Sequence, residues 1–224
     1  LVGSEMCIRD SSSAVGADGS VLEAPAAATP PIYIKNGYNL SKWVAERILQ
    51  QARERGAWVN IYRPGNIAFN STSGVCQPHK NRLMLMLKGS MQLGQVPDFS
   101  MTFDLMPVDF LARFISFHAS RYQPAHAVFN LHNPEPLSWS NYVSAFREAG
   151  SDFEMVSVSE WQTQLNRVDS ENALFGVLGF YLGGFEEDIG DISKIAYQNA
   201  YAGVQRMGEC LSLIHISEPT RPRL

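Results

Sequence analysis

The sequence predicts an α/β fold built on a parallel sheet. Two observations carry that prediction. Short apolar runs of strand length alternate with segments of helical period, a pattern that favours parallel strands joined by helices over an all-α or all-β chain. The clearest amphipathic helix is also followed directly by a β-branched and aromatic strand, the order of a strand–helix–strand unit. No internal repeat and no low-complexity tract interrupts this alternation.

The elements follow in order. Residues 12–15 look like the stub of a strand, and residues 16–36, rich in Ala, Pro and Gly, form a loop longer than ordinary connections. Residues 37–56 read as a helix with Leu40, Val44, Ile48, Leu49 and Ala52 on one face and Gly56 as its stop signal. Residues 58–62 read as a strand ending at Arg63-Pro64-Gly65. A helix is expected at 82–93, another opened by Asp109 as its cap, a strand at 127–131 and a helix at 138–149.

The two ends call for a different explanation. Residues 5–10, Glu-Met-Cys-Ile-Arg-Asp, followed by the first two bases of a Ser11 codon, can be written in DNA whose reverse complement translates as Leu-Ser-Leu-Ile-His-Ile-Ser, the run at 211–217. Opposite strands of one short DNA do not encode both ends of a natural protein, whereas a ligated sequencing adapter does so automatically. Residues 1–11 and 211–224 are therefore expected to be adapter-derived, which leaves 12–210 as part of one domain.

The formal net charge is −4, and no basic run is present, which argues against nucleic acid or an anionic membrane as the main partner. Cys76 and Cys210, the cysteines outside the suspect N-terminus, lack metal-type spacing and imply no disulfide framework. The apolar stretches are too short to span a bilayer. A soluble chain in a reducing, cytoplasmic setting is expected.

The chemistry is placed on the first helix. Tyr38 and Lys42 are four residues apart and share one helix face. A phenol with an ordinary pKa near about 10 is a poor acid at neutral pH, but a nearby ammonium favours the phenolate and makes the hydroxyl a usable proton donor. When a carbonyl is reduced, charge grows on its oxygen; Tyr38 could protonate that oxygen and a hydroxyl such as Ser12 could hold it. A tyrosine four residues before a lysine is by itself a common coincidence.

Context makes it specific. The run Gly37-Tyr38-Asn39-Leu40-Ser41-Lys42-Trp43-Val44-Ala45-Glu46 is followed by Ile61-Tyr62-Arg63-Pro64-Gly65-Asn66-Ile67. Here the sequence resembles the extended short-chain dehydrogenase/reductase superfamily. Within it, the likeness is to the thioester reductase domains that end carboxylic acid reductases and some nonribosomal peptide or polyketide synthases. Leu93-Gly94-Gln95-Val96-Pro97, Met106-Pro107-Val108-Asp109-Phe110, and Phe129 to Pro134 with Trp139 continue the likeness. The resemblance implies the C-terminal part of a Rossmann-type parallel sheet with a smaller substrate-binding subdomain, expected at about 76–106 and 136–207.

It also implies an activity, the NADPH-dependent reduction of an acyl or peptidyl thioester. The substrate would be held on a carrier protein's phosphopantetheine arm and released as aldehyde, or as alcohol after a second turnover. NADH remains an alternative cofactor. Tyr38 and Lys42 match the catalytic pair directly, with Lys42 also binding the nicotinamide ribose. Ser12, counted back from Val15, matches the active-site hydroxyl, with Ser13 as the fallback. Pro64, Gly65 and Asn66 match the loop along the nicotinamide and its ribose, and a Pro-Gly turn that presents bare backbone suits that role.

The family's Gly-x-x-Gly-x-x-Gly unit does not follow any strand here, so the phosphate-binding first βα unit is expected to be missing. Gly176, Gly179, Gly183 and Gly184 do not replace it and are read as a buried turn or part of a substrate lid. His79, His118, His126 and His132 show no paired metal spacing, and Met84, Met86 and the apolar run 83–87 are read as core or acyl-channel lining. Two other readings stay open. One is a stand-alone fatty acyl-CoA reductase or a sugar-nucleotide epimerase or dehydratase using the same Tyr38 and Lys42; the other is a non-catalytic cofactor-binding interaction module.

Overall fold

The computed structural model describes residues 20–30, 37–98, 100, 102–182 and 194–208, apart from the side chains of Tyr38, Asn39 and Phe103. Both end segments, the 12–15 stub and Ser12 and Ser13 lie outside the described residues. In chain order the elements are α1 (Gly37–Glu54), β1 (Ile61–Pro64), α2 (Arg82–Gln92), β2 (Gln95–Asp98), β3 (Thr102–Phe103) and α3 (Val108–Ala119). They continue with β4 (Val128–Leu131), β5 (Leu137–Ser138), α4 (Trp139–Glu148), β6 (Glu154–Ser157), α5 (Val158–Gln164) and α6 (Gln198–Arg206). Among the described residues no helix is long and apolar enough to cross a membrane.

These residues form two compact units, one drawn from 20–71, 104–136 and 194–208, the other from 72–103 and 137–182. In the first unit β1 and β4 pair in parallel, Ile61 opposite Val128 and Pro64 opposite Leu131. Every residue of both strands is buried. Their side chains alternate between faces. Ile61 and Val128 pack with Val59 and, on α1, Leu49 and Ala52. Tyr62, Phe129 and Leu131 pack with Phe110, Leu111 and Phe114 of α3 and with Ala200 and Val204 of α6.

Two helix details depart from the sequence reading. Gly56 does end α1, with φ at +92° and its N–H donating to Arg53 O at 2.8 Å. The expected single apolar face of that helix splits, however: Leu49 and Ala52 face the sheet, while Leu40, Val44 and Ile48 are 42%, 41% and 61% exposed. At about 100° per residue the row 40, 44, 48 drifts away from the sheetward side, which buried Glu46 occupies instead. The N-cap position of α3 is Pro107, not Asp109. Asp109 lies in the first turn, where burial opposes its ionisation but donation from the Ser71 N–H (2.7 Å), the Ser71 hydroxyl (2.8 Å) and Arg113 (3.0 Å) holds its carboxyl below the usual range.

β1 begins later than expected, because Trp58 is 78% exposed and stacks on Tyr122 with ring centroids 5.8 Å apart, outside the ladder. α6 belongs to the first unit, not to the smaller one expected to reach residue 207. Its small residues explain this: a β-carbon at Gly203 would come 2.7 Å from Phe114, so only glycine lets α6 approach α3 this closely.

In the second unit β2 and β6 pair in parallel and β3 and β5 antiparallel. Asn81 and Ser138 cap α2 and α4, accepting from Met84 N at 3.0 Å and Asn141 N at 3.2 Å. Trp139 and Trp161, fully buried, donate to Pro97 O (2.8 Å) and the Ser90 hydroxyl (2.9 Å). Met86 and Leu87 are core. Gly176 and Gly179 sit exposed on a 3-10 turn over Phe175–Phe180, so that stretch is no buried turn; Gly183 and Gly184 lie outside the described residues.

Candidate active site

The described candidate residues gather around the carboxyl ends of β1 and β4, the edge where open parallel sheets receive ligands. On α1, Tyr38, Lys42 and Glu46 follow one another at single-turn spacing. Lys42 is half-buried and Glu46 is 2% exposed. The next element supplies Pro64 as the last residue of β1, then Gly65 and Asn66. Gly65 N–H donates to Leu131 O at 2.7 Å, and Met106 N–H donates to Asn66 O at 2.8 Å, so this turn closes the β1–β4 ladder and then pairs with the segment that leads into α3.

Gly65 has a reason the sequence did not disclose. A β-carbon there would overlap the carboxylate of Asp104, which is 2% exposed and packed against the glycine. The bare face of Gly65 is therefore filled by a side chain of the same unit. His132, immediately after β4, is also buried, at 7% exposed, and its ring meets that of Tyr197 edge-on at 5.2 Å. Burial outweighs a hydrogen bond to the Asn130 backbone and pushes its pKa down to about 4, so the imidazole is neutral.

Arg63 lies at the centre of the arrangement. Its guanidinium forms a two-pronged ion pair with Glu46, Nε to Oε1 at 2.9 Å and Nη2 to Oε2 at 2.7 Å. It also donates to Leu22 O and Ala24 O, each at 2.9 Å, and to Asn130 Oδ1 at 3.4 Å. Trp43 and Arg47 of α1 donate to Ala27 O and Ala26 O at 3.1 Å each. The segment downstream of the predicted serine is thus fastened to the helix that carries Tyr38 and Lys42.

Glu23 ties the same segment to the far side of the sheet. Its carboxylate accepts from the backbone N–H of Asn130 at 3.0 Å on β4, and from those of Asn199 and Ala200 in the first turn of α6. Burial raises its pKa despite these three bonds and the nearby Arg63 charge.

Five of the six predicted site residues, Tyr38, Lys42, Pro64, Gly65 and Asn66, lie in described parts of this one unit, and Ser12 lies outside them. Sequence reasoning missed Glu46, Arg63, Asp104 and Glu23. Two of these left a signal: an arginine closing an apolar strand, and a glutamate one helical turn beyond Lys42. Among the described residues no cluster of three His, Cys, Asp or Glu side chains could hold a metal. A nicotinamide cofactor fits the donor set: an ammonium one turn from a tyrosine, with a backbone crossing and a buried neutral imidazole at the sheet's carboxyl edge.

The NAD-binding family described as male sterility protein matches residues 11–115. A linear gramicidin synthase polypeptide of Brevibacillus parabrevis is 36% identical over 129 residues, 57% of this chain and 2% of that protein. The L-2-aminoadipate reductase of Saccharomyces cerevisiae is 30% identical over 181 residues, 77% of this chain and 13% of that protein. The solved terminal R domain from the myxalamid PKS-NRPS biosynthetic pathway superposes with a TM-score of 0.72 at 23% identity, covering 94% of this chain and 55% of that one. The chain thus spans about half of that solved domain and a small fraction of the curated relatives it matches.

Proposed function

We infer that this chain, a member of the terminal reductase domains of extended short-chain dehydrogenase/reductase type, serves the reductive release of a thioester-bound acyl or peptidyl group as an aldehyde. The thioester is carried on the phosphopantetheine arm of a carrier protein, and NADPH is the reductant we assign, in the cytoplasm. One observation carries the reading: the helix bearing Tyr38 and Lys42 is clamped by a buried ion pair to the strand that ends at Pro64 and leads into Gly65-Asn66.

When bound, the cofactor supplies a hydride to the thioester carbonyl carbon. Tyr38 gives its proton to the carbonyl oxygen as charge develops there, and the product is a hemithioacetal. Lys42 favours the ionised tyrosine left behind and holds the ribose hydroxyls. Ser12 orients the same oxygen. Pro64, Gly65 and Asn66 line the nicotinamide and its ribose. Collapse of the hemithioacetal breaks the carbon–sulfur bond, the hydroxyl proton leaves, and the departing sulfur is protonated to a free thiol. No bond forms between enzyme and substrate.

The test uses the complete reductase with a carrier-loaded thioester, following nicotinamide oxidation and trapping the aldehyde. Tyr38→Phe is expected to lower kcat by about 10²–10⁴-fold. Equal turnover of a free acyl-CoA would move the reading to a stand-alone acyl-CoA reductase. Full activity of the Tyr38→Phe protein would refute the catalytic assignment.

A further inference from the structure

We propose that Arg63 and Glu46 are positioning residues for this reduction, the pair that sets the proton donor of α1 against the strand end along which the nicotinamide lies. The inference rests on the reading above and adds residues to that site.

The geometry argues for more than stability. Burying two charges is expensive, and well-packed apolar side chains of similar volume often hold a core as well or better. Here the pair is 0% and 2% exposed. What an apolar pair cannot supply is direction. All five guanidinium N–H groups are committed: one from Nε and one from Nη2 to Glu46, the other Nη2 proton to Ala24 O, and the two on Nη1 to Leu22 O and Asn130 Oδ1. A rigid planar fork with every prong used fixes its partners in both distance and orientation.

The partners are the segments that carry the chemistry. Glu46 lies one turn beyond Lys42 and two beyond Tyr38, so fixing its carboxylate fixes the rotation and height of α1. Leu22 and Ala24 belong to the segment that follows the predicted serine. Arg63 itself directly precedes Pro64, Gly65 and Asn66, and Asn130 belongs to β4 beside them. One side chain therefore sets the placement of α1, which carries Tyr38 and Lys42, against the strand end that leads into Pro64, Gly65 and Asn66, and fastens residues 22–24 to it.

Misplacement by about 1 Å in such an arrangement costs on the order of 10²-fold in rate. The test is made in the complete reductase with Arg63→Lys, which keeps the charge and loses the fork, and with the double variant Glu46→Leu/Arg63→Met, which replaces the pair by apolar volume. Rates are taken on folded protein, normalised by circular dichroism. Expected is a fall in kcat of roughly 10- to 100-fold with KM for cofactor and thioester changed by less than about threefold. The isotope effect from cofactor deuterated at C4 should rise, because hydride transfer becomes rate-limiting.

A folded variant with wild-type kcat and isotope effect overturns the proposal, and so does loss of fold in both variants, which reads the pair as structural only. The two levels of inference fail differently. A wild type that reduces no thioester, unaffected by Tyr38→Phe, refutes the function and this proposal together. Wild-type turnover that needs Tyr38 but is indifferent to Arg63→Lys refutes the pair's role alone.

Discussion

The carboxylate of Asp104 occupies the space that a β-carbon on Gly65 would require. This contact makes residue 65 a glycine for a packing reason. Its φ is not among the positive values of the chain, so turn geometry alone does not demand it. Gly65→Ala is expected to push Asp104 aside and destabilise the domain by about 1–3 kcal/mol, the range for overpacking a filled site. The Gly65→Ala/Asp104→Ala double variant should recover part of that loss, read as a coupling energy in urea unfolding. Additive losses would show that the two side chains do not meet.

His132 is expected to make the domain less stable in acid. Its pKa in the folded state is about 4 against an ordinary 6.5, so between those values the unfolded chain binds the proton and the folded chain does not. Stability contributed by the neutral ring is complete above pH 6.5 and declines as the pH falls toward 4, by up to about 3 kcal/mol. His132→Gln should remove this slope from the pH dependence of unfolding free energy. An unchanged slope would exclude His132 as its source.

Glu23 works in the other direction. Its folded pKa is raised above 4.5, so the ionised form is less favoured in the folded chain, and its contribution to stability falls as the pH rises through that raised value. Glu23→Gln keeps an acceptor for the α6 N–H groups and should flatten this limb. Glu23→Ala leaves those donors without their carboxylate and should cost about 1–2 kcal/mol at neutral pH. Hydrogen exchange at Asn199 and Ala200 reads the loss of the cap locally.

Lys42 is expected to act on both binding and chemistry. Lys42→Ala should raise KM for the cofactor by about tenfold or more and lower kcat by about 10²-fold, since the proposed reading has one ammonium serve both the ribose and the tyrosine. Loss of kcat without a change in KM would assign Lys42 to the proton donor alone.

The two buried tryptophans of the second unit differ in what they leave behind. Trp139→Phe orphans Pro97 O, its acceptor, and should cost about 1–3 kcal/mol beyond the lost area. Trp161→Phe removes a donor to the Ser90 hydroxyl, which still donates to Met86 O at 2.7 Å, so its loss should be smaller. Paired denaturant melts of the two variants test the order.

The helix that carries Tyr38 and Lys42 was legible in the sequence because everything needed to see it is local. Tyr38 and Lys42 are four residues apart, Gly56 carries the stop, and the apolar residues repeat at helical period. The strand ending in Pro64 and Gly65 was legible for the same reason, although its start was misplaced because Trp58 has strand propensity yet finds an aromatic partner outside the ladder. The cap expected at Asp109 failed because its carboxylate finds Ser71, 38 residues away, which no local pattern encodes.

The sequence by itself therefore determined the fold class, the helices expected at 37–56, 82–93 and 138–149, the strand at 127–131 and the motif that carries the resemblance, since each depends on periodicity and spacing within a few turns of chain. Only the tertiary structure decided that Glu46 and Arg63, 17 residues apart, form a buried fork, that Asp104 fills the space beside Gly65, and that Glu23 caps a helix more than 170 residues later. Those contacts join segments distant in sequence, and a buried charge is tolerated only where its partners converge in three dimensions. No charge in the sequence carries a mark of where its partner will be.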